Sequence, residues 1–342
     1  MSAVLVTGGA GYIGSHVCVE LLSSGYDVIV LDNFSNSSLE SCKRVKDLIG
    51  RDILIYEGDI LDSQLLDKIF SENRISSVIH LAGLKSVAES VAAPILYYDN
   101  NFLGTLCLLK AMQRSGVKDF VFSSSATVYG APELMPISES TSTGGATNPY
   151  GRSKYMVEEL LKDISSSDPS WNIALLRYFN PIGAHPSGVI GESPKGIPNN
   201  LLPYISRVAS GEIEHLTVYG NDYPTCDGTG VRDYIHVVDL ARAHLSALAY
   251  ASKNTGCEVF NIGTGKGSSV LDIVHAFEKA SGQKVPYVIG PRRAGDLATV
   301  YADPAKAKAA LGFETKYDLQ RMCEDSWRWQ KNNPNGFNTN NM

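Results

Sequence analysis

No run of lysines or arginines, no apolar stretch of membrane-spanning length and no Cys-x-x-Cys pair occurs in the 342 residues. Each absence removes a class of function. Without a basic patch, and with a formal net charge of -6 spread along the chain, neither nucleic acid nor an anionic membrane is an expected partner. Without about 20 consecutive apolar residues, no membrane span is expected. The chain passes from Met1-Ser2 straight into an apolar strand, with neither a basic region nor a small-residue cleavage site. No signal peptide is therefore expected, and a cytoplasmic location is. The six cysteines, at 18, 42, 107, 226, 257 and 323, are widely scattered and read as reduced thiols. The seven histidines form no helical ligand pair, so no metal site is expected. Internal repeats and low-complexity tracts are missing too; only residues 332–342 read as a frayed tail.

What is present is the texture of a globular protein too long for one compact domain, so two lobes are expected. Apolar, β-branched runs at Ala3–Thr7, Asp27–Leu31, Asp52–Tyr56, Ser77–Leu81, Asp119–Ser123 and Ile173–Arg177 alternate with helix-length segments. The runs are almost continuously apolar, as parallel strands covered on both faces require. Ile13, Val17 and Leu21 recur at helical spacing after the first run, and Gly25 is placed to end that helix. The expected fold class is α/β: a doubly wound parallel Rossmann sheet with a smaller mixed α/β lobe. Prolines and glycines break up residues 181–203, which reads as irregular structure or loops over a pocket. A helix over Val238–Tyr250 and a strand over Val259–Ile262 follow. The expected division is 1–180, with segments from about 237–265 returning to it, and 181–342 interleaved with the first.

The first strand runs into Thr7-Gly8-Gly9-Ala10-Gly11-Tyr12-Ile13-Gly14 and then a helix. Gly8, Gly11 and Gly14 allow a tight turn, backbone approach to a pyrophosphate and close packing of helix on strand. The helix N-terminus offers N–H groups and the positive end of its dipole. Asp32 closes the second strand 18 residues after Gly14. There it can accept from both adenosine ribose hydroxyls and repel a 2′-phosphate, which selects NAD over NADP. Its alternative role is to cap the turn after the strand.

Further on, Ser123-Ser124-Ser125 ends the fifth strand at the carboxyl edge, where doubly wound sheets bind ligands. Asn148-Pro149 reads as a helix start, placing Tyr150 and Lys154 four apart on one face. The pair suits proton abstraction from a hydroxyl. An ammonium about 4 Å from a phenol is worth about 4 kcal/mol at an effective dielectric of ~20. That would lower the tyrosine's ordinary pKa of about 10 by about three pH units. Tyr150 could then act as base, with Ser125 donating or relaying a hydrogen bond. The alternative is a surface tyrosine beside a solvated lysine.

With these motifs in this order, the chain resembles the extended short-chain dehydrogenases/reductases, and among them the UDP-glucose (UDP-galactose) 4-epimerases. Matching words recur along nearly the whole chain, among them Leu31-Asp32-Asn33, Glu57-Gly58-Asp59-Ile60, Ala82-Gly83-Leu84-Lys85 and Tyr97-Tyr98-Asp99-Asn100-Asn101. Ser123 to Gly130, Leu176 to Pro181, Gly196 to Leu201, Gly230 to Val237 and Pro291 to Asp296 continue the series. The resemblance implies that Tyr12, Ile13, Asp32, Asn33, Asp59, Ile60, Leu81, Ala82, Gly83, Lys85, Asn100, Tyr178 and Phe179 contact NAD. Ser125, Tyr150 and Lys154 would also face it. Asn180, Asn199, Asn200, Leu201, Thr217, Val218, Tyr219, Arg232, Arg293 and Asp296 would hold the UDP-sugar. Arginine forks suit a diphosphate, Asp296 can accept from uridine ribose, and asparagines suit sugar hydroxyls. The bland alternatives are a surface ion pair of Arg232 with Asp233 and a turn at Gly295-Asp296.

The reaction implied is reversible 4-epimerisation of UDP-galactose and UDP-glucose: oxidation at C4 to a 4-keto sugar, rotation of that sugar, and reduction from the other face. The resemblance also implies a homodimer through helices of the first lobe. Leu81 and Tyr219 depart from the common pattern, where aromatic and Phe residues stand, without removing a reacting group. Val300, four places after Asp296, corresponds to the position bordering the sugar's C2 substituent. Its small size predicts acceptance of the UDP-N-acetylhexosamine pair; the alternative is a strand residue that merely packs. A 4-epimerase for UDP-pentoses or UDP-glucuronate is a further reading. A dehydratase would carry an Asp-Glu pair where Ala126 and Thr127 stand. A non-catalytic NAD-binding regulator would have no use for the intact Ser125, Tyr150 and Lys154.

Overall fold

The computed structural model describes residues 2–338 apart from 197, 199 and 294. The apolar runs form β1 (Ala3–Thr7), β2 (Asp27–Asp32), β3 (Leu54–Glu57), β4 (Ile75–His80), β5 (Asp119–Ser125) and β6 (Asn172–Tyr178). Later strands are β7 (Asn180–Ile182), β8 (Leu216–Tyr219), β9 (Val231–His236), β10 (Gly256–Ile262), β11 (Gly267–Ser269), β12 (Tyr287–Gly290) and β13 (Thr299–Val300). The helices are α1 (Tyr12–Ser23), α2 (Leu39–Ile49), α3 (Ser63–Glu72), α4 (Val87–Ala92), α5 (Pro94–Tyr97), α6 (Gly104–Ser115) and α7 (Pro149–Ser167). They continue as α8 (Leu201–Ala209), α9 (Val237–Ala251), α10 (Val270–Ser281), α11 (Ala305–Leu311) and α12 (Leu319–Asn332), with a π-helical turn at Tyr98–Leu103.

The main sheet runs β10-β6-β5-β4-β1-β2-β3, every neighbouring pair parallel. The chain winds outward from β1 to β3, then returns to lay β4 on the other side of β1. This reversal opens a crevice beyond the carboxyl ends of β1 and β4. The continuous apolar runs now have their cause. Val4, Val6, Val28 and Val30 pack with Val17, Leu21, Val45 and Leu248 from α1, α2 and α9. Leu5, Ile29, Leu31 and Val78 turn the other way, onto Leu66, Ile69, Met112 and Leu161 from α3, α6 and α7. Both faces are covered, so the middle of most strands is apolar, and each fully buried aliphatic side chain contributes about 1.5–3 kcal/mol.

A second sheet is centred on β9, with β11 antiparallel to it and β7 and β13 parallel; β8 and β12 form a separate parallel pair. Ile182, Ile205, Val218, Ile273, Phe277 and Met322 form a core of their own here. Residues 181–203 hold only the end of β7 and the start of α8 among the described residues, in keeping with their broken composition. After β9 the chain goes back: α9 joins the first core and β10 adds an edge strand beside β6. Among the described residues, no helix is long and apolar enough to cross a membrane, and no group of three or more His, Cys, Asp or Glu gathers as metal ligands. All six cysteines are free.

Candidate active site

Gly8, the first residue after β1, has φ +71, and a Cβ there would stand 2.7 Å from the Ala82 amide nitrogen. A Cβ on Gly14 would stand 2.1 Å from the Gly8 carbonyl oxygen. The glycines therefore let β1, α1 and the exit of β4 meet backbone to backbone. Gly11 caps α1 without any side-chain hydrogen bond, so the helix end keeps amide groups for an anion. This bare cradle fits a dinucleotide pyrophosphate. Ile13 is half-buried against the first core. The Tyr12 phenol is committed elsewhere: it donates to the Gly183 carbonyl at 2.7 Å.

Asp32 is buried at the end of β2. Its Oδ2 accepts from Ala10 N, and its Oδ1 accepts from Phe34 N and the Ser37 hydroxyl. The turn-capping role is thus real, yet Oδ2 retains a lone pair for a ribose hydroxyl. Beside it Asn33 donates to Asp59 at 2.7 Å. Ile60 points into the core below, close against Gly104, so any cofactor contact it makes runs through its backbone.

Leu81 pairs its amide with the Thr7 carbonyl as β4 ends, and Ala82, Gly83 and Lys85 follow along the crevice. Their path is set by Asn101, which is 3% exposed. Its Oδ1 accepts from Leu84 N at 2.8 Å, and its Nδ2 donates to the Leu84 carbonyl and to Ser153 Oγ. Asn100, half-buried next to it, shares the π-helical turn, a distortion often found at functional sites. Sequence reasoning missed Asn101, because an asparagine in a helical stretch carries no signal until its tertiary partners are seen.

α7 starts as expected, with the Asn148 side chain accepting from Gly151 N. Tyr150, Lys154 and Glu158 then form one buried stripe against the three serines of β5. Lys154 Nζ donates to the Ser123 carbonyl at 2.8 Å, Ser124 Oγ donates to Glu158, and Ser125 stands close enough to Tyr150 to act on its pKa. The Ser123 hydroxyl and the Tyr178 phenol share a 2.6 Å hydrogen bond. Phe179 is buried beside Val128 and Tyr129. Glu158, also unforeseen, is paired with Arg177 of β6 at 2.9 Å, and both are almost fully buried.

The electrostatics correct one expectation. Burial raises the Tyr150 pKa above its ordinary value; the Ser125 hydrogen bond and the Lys85 ammonium oppose the rise. Lys154 does not lower it as the spacing implied. Its ammonium turns to the Ser123 carbonyl, over the Phe122 ring, and burial brings its own pKa down to about 8. The ammonium acting on the phenol is Lys85, itself paired with Glu192 at 2.9 Å.

Across the crevice, Arg232 Nη1 donates to the Val231 and Leu297 carbonyls, and Nη2 lies 3.9 Å from Asp296. The pairing of Arg232 with Asp233 is not formed. Asp233 is buried and accepts from Thr264, Gly265 and Ala302 amides, tying β9 to its surroundings. Arg293 stacks on the Tyr219 ring at 3.9 Å. Thr217 and Tyr219 share one face of β8, but the Val218 side chain alternates into the second core. Val218 can therefore meet a ligand only through its backbone. Asn180 is exposed at the head of β7, Leu201 opens α8, and Asn200 donates to Glu192. Asn199 lies outside the described residues. Val300 packs against the Tyr129–Phe179 cluster, opposite Arg232.

A hydroxyl, a phenol and two ammonium groups thus converge at the carboxyl edge beside the switch point, facing arginines across the crevice. That set can bind a diphosphate and move a proton at a sugar hydroxyl. The model of the NAD dependent epimerase/dehydratase family matches residues 4–263. A UDP-glucose 4-epimerase of Bacillus subtilis (strain 168) is 61% identical over 335 residues, 98% of each chain. One of Neisseria meningitidis serogroup C is 58% identical over 337 residues, 98% of this chain and 99% of that one. The crystal structure of UDP-glucose 4-epimerase from Bifidobacterium longum in complex with NAD+ and UDP superposes with a TM-score of 0.95 at 54% identity, covering 98% of this chain and all of that one. The chain belongs to the NAD dependent epimerase/dehydratase family, among its UDP-glucose 4-epimerases.

Proposed function

We propose that the protein interconverts UDP-galactose and UDP-glucose by NAD-dependent inversion at C4. The observation that carries this reading is the stripe of Tyr150 and Lys154 facing Ser123–Ser125 at the ligand edge of the sheet. Gly8, Gly11, Gly14 and the head of α1 hold the pyrophosphate of NAD, and Asp32 takes its adenosine ribose. The bound NAD supplies the acceptor and donor of the C4 hydride. Tyr150 Oη, as the phenolate, takes the proton of the C4 hydroxyl with Ser125 beside it, and later returns that proton to the C4 oxygen. Arg232 and Arg293 fork the diphosphate while Asp296 accepts from the uridine ribose. The UDP end is held by charge and the sugar by weaker amide contacts, so the sugar can turn over between the two half-reactions. At 126 and 127 stand Ala and Thr, and the Thr127 hydroxyl donates to Ser125. No carboxylate is there to eliminate water.

Residues 1–180, with about 237–265, serve as the cofactor body, and the rest of 181–342 holds the UDP-sugar. A cytoplasmic homodimer is the assembly we infer. Val91, Ile95, Leu96 and Leu103 are all exposed on the helices before α6, apolar side chains a second copy would cover. The sugar pocket extends to N-acetyl substrates, because Val300 is small and borders the same cluster as Phe179. A panel of UDP-sugars with product analysis tests the whole reading. Interconversion of the galactose and glucose pair is expected, together with the N-acetyl pair; Val300→Tyr should lose only the latter. Turnover confined to UDP-pentoses or UDP-glucuronate would replace the hexose reading, and wild type inert toward N-acetyl sugars would sink the Val300 gate.

A further inference from the structure

Glu192 sits in the irregular segment between β7 and α8, with its side chain 10% exposed. A carboxylate so nearly buried needs strong donors, and it has two on the same oxygen. Lys85 Nζ reaches Oε1 at 2.9 Å from the exit of β4, and Asn200 Nδ2 reaches it at 2.8 Å from the head of α8. The backbone here is also pinned. Trp329 Nε1 donates to the Glu192 carbonyl at 3.0 Å, and a Cβ on neighbouring Gly191 would stand 2.5 Å from the Trp329 ring. Glu192 is therefore a fixed point, whereas Lys85 is a long, half-exposed side chain with nothing else to hold it among its hydrogen bonds.

We propose that Glu192 is a positioning residue that yokes Lys85, on the cofactor side, to Asn200, on the sugar side. The inference rests on the epimerase reading for the roles of those two donors. Its effect on each is distinct. For Lys85 the carboxylate supplies charge: it keeps the ammonium protonated and aimed, and that ammonium is the one drawing down the Tyr150 phenol. For Asn200 it supplies orientation: with one N–H given to Glu192, the amide presents Oδ1 and its other N–H to a sugar hydroxyl. The two effects can be separated by substitution. Glu192→Gln keeps an oxygen for Asn200 and removes the charge Lys85 needs. Glu192→Ala removes both.

The experiment compares wild type with Glu192→Gln, Glu192→Ala, Lys85→Met and Asn200→Ala, and with the doubles Glu192→Gln/Lys85→Met and Glu192→Ala/Asn200→Ala. The readouts are kcat and KM for UDP-galactose and the calorimetric affinity for UDP-glucose. Glu192→Gln should lower kcat about tenfold with KM changed less than about twofold, as a lost charge-assisted contact made in the transition state would. Glu192→Ala should also weaken UDP-glucose affinity about tenfold. In each double the effects should be strongly sub-additive, because the second change removes a partner already lost. A Glu192→Gln protein with wild-type kcat, or fully additive doubles, would overturn the yoke. The affinity cycle needs no turnover, so a wild type inactive toward UDP-galactose would count against the epimerase reading while the yoke is still judged by binding.

Discussion

At position 150 burial and charge oppose each other, and burial is the larger in this structure: the phenol is held above its ordinary pKa despite Ser125 and Lys85. To accept the C4 proton the phenol must first ionise, helped by Lys85 and by the positive charge that bound NAD would add; Tyr150→Phe removes the oxygen that takes and returns that proton. It should lower kcat by about 10²–10⁴ and leave UDP-glucose affinity within about twofold; near-normal turnover would rule Tyr150 out as the base. Lys154→Ala should additionally loosen the cofactor, read as NAD recovered per chain after dialysis. That Tyr150 and Lys154 would share one helix face near the end of β5 was legible in the sequence, because a helix start at Asn148-Pro149 and a spacing of four fix it. Asn101 and Glu192 were not. Their importance lies in partners 17 and 52 residues away for Asn101, and 107 away for Glu192, and no local pattern encodes such meetings.

The stripe on α7 shows how one element aligns several groups. Tyr150, Lys154 and Glu158 recur every fourth residue, so one helix face meets consecutive serines of β5. Glu158 also closes a buried pair with Arg177 on β6, locking the helix to the sheet beneath the site. Glu158→Ala would leave a guanidinium buried without its counter-charge, costing about 3–5 kcal/mol. Urea denaturation should show that loss. Replacing both partners by apolar residues of similar volume, as in Glu158→Leu/Arg177→Met, should recover much of it; a double variant no more stable than Glu158→Ala would contradict the pairing as the cause. Long elements were readable from sequence because periodicity and burial agree over many residues, as in α9, expected at Val238–Tyr250 and found at Val237–Ala251. The short strands β7, β11 and β13 offered no such run. They exist because β9 gives them an edge to pair with. Alternation along β8 likewise turns Val218 inward, which a family word read residue by residue does not reveal.

On the scale of the whole molecule, the layers around the main sheet enclose histidines that burial keeps neutral. His80 bridges the Thr7 and Thr105 hydroxyls in the first sheet; burial brings its pKa down to about 3, as it does for His16, and that of His244 down to about 4. The folded values lie below the ordinary 6.5, so the unfolded chain binds protons first as pH falls. This stability is complete above pH 6.5 and is lost from there toward pH 3, at about 1.4 kcal/mol per pH unit for each group. The urea midpoint should therefore fall between pH 6.5 and 5, before most carboxylates titrate; a midpoint constant over that interval would show that these histidines are not buried neutral. The doubly wound order and its crevice were readable in advance, because strand–helix alternation admits few topologies. The path by which the chain crosses between the sheets, and so brings Glu192 over Lys85, is set by the tertiary fold and by no local run of residues. The proposed reaction returns to C4, at one site, the hydride that left it. The most direct test is to supply UDP-galactose carrying deuterium at C4, in ordinary water and without added reductant. UDP-glucose retaining the deuterium at C4 is the expected product; UDP-glucose with hydrogen from solvent at C4, or no UDP-glucose at all, would contradict it.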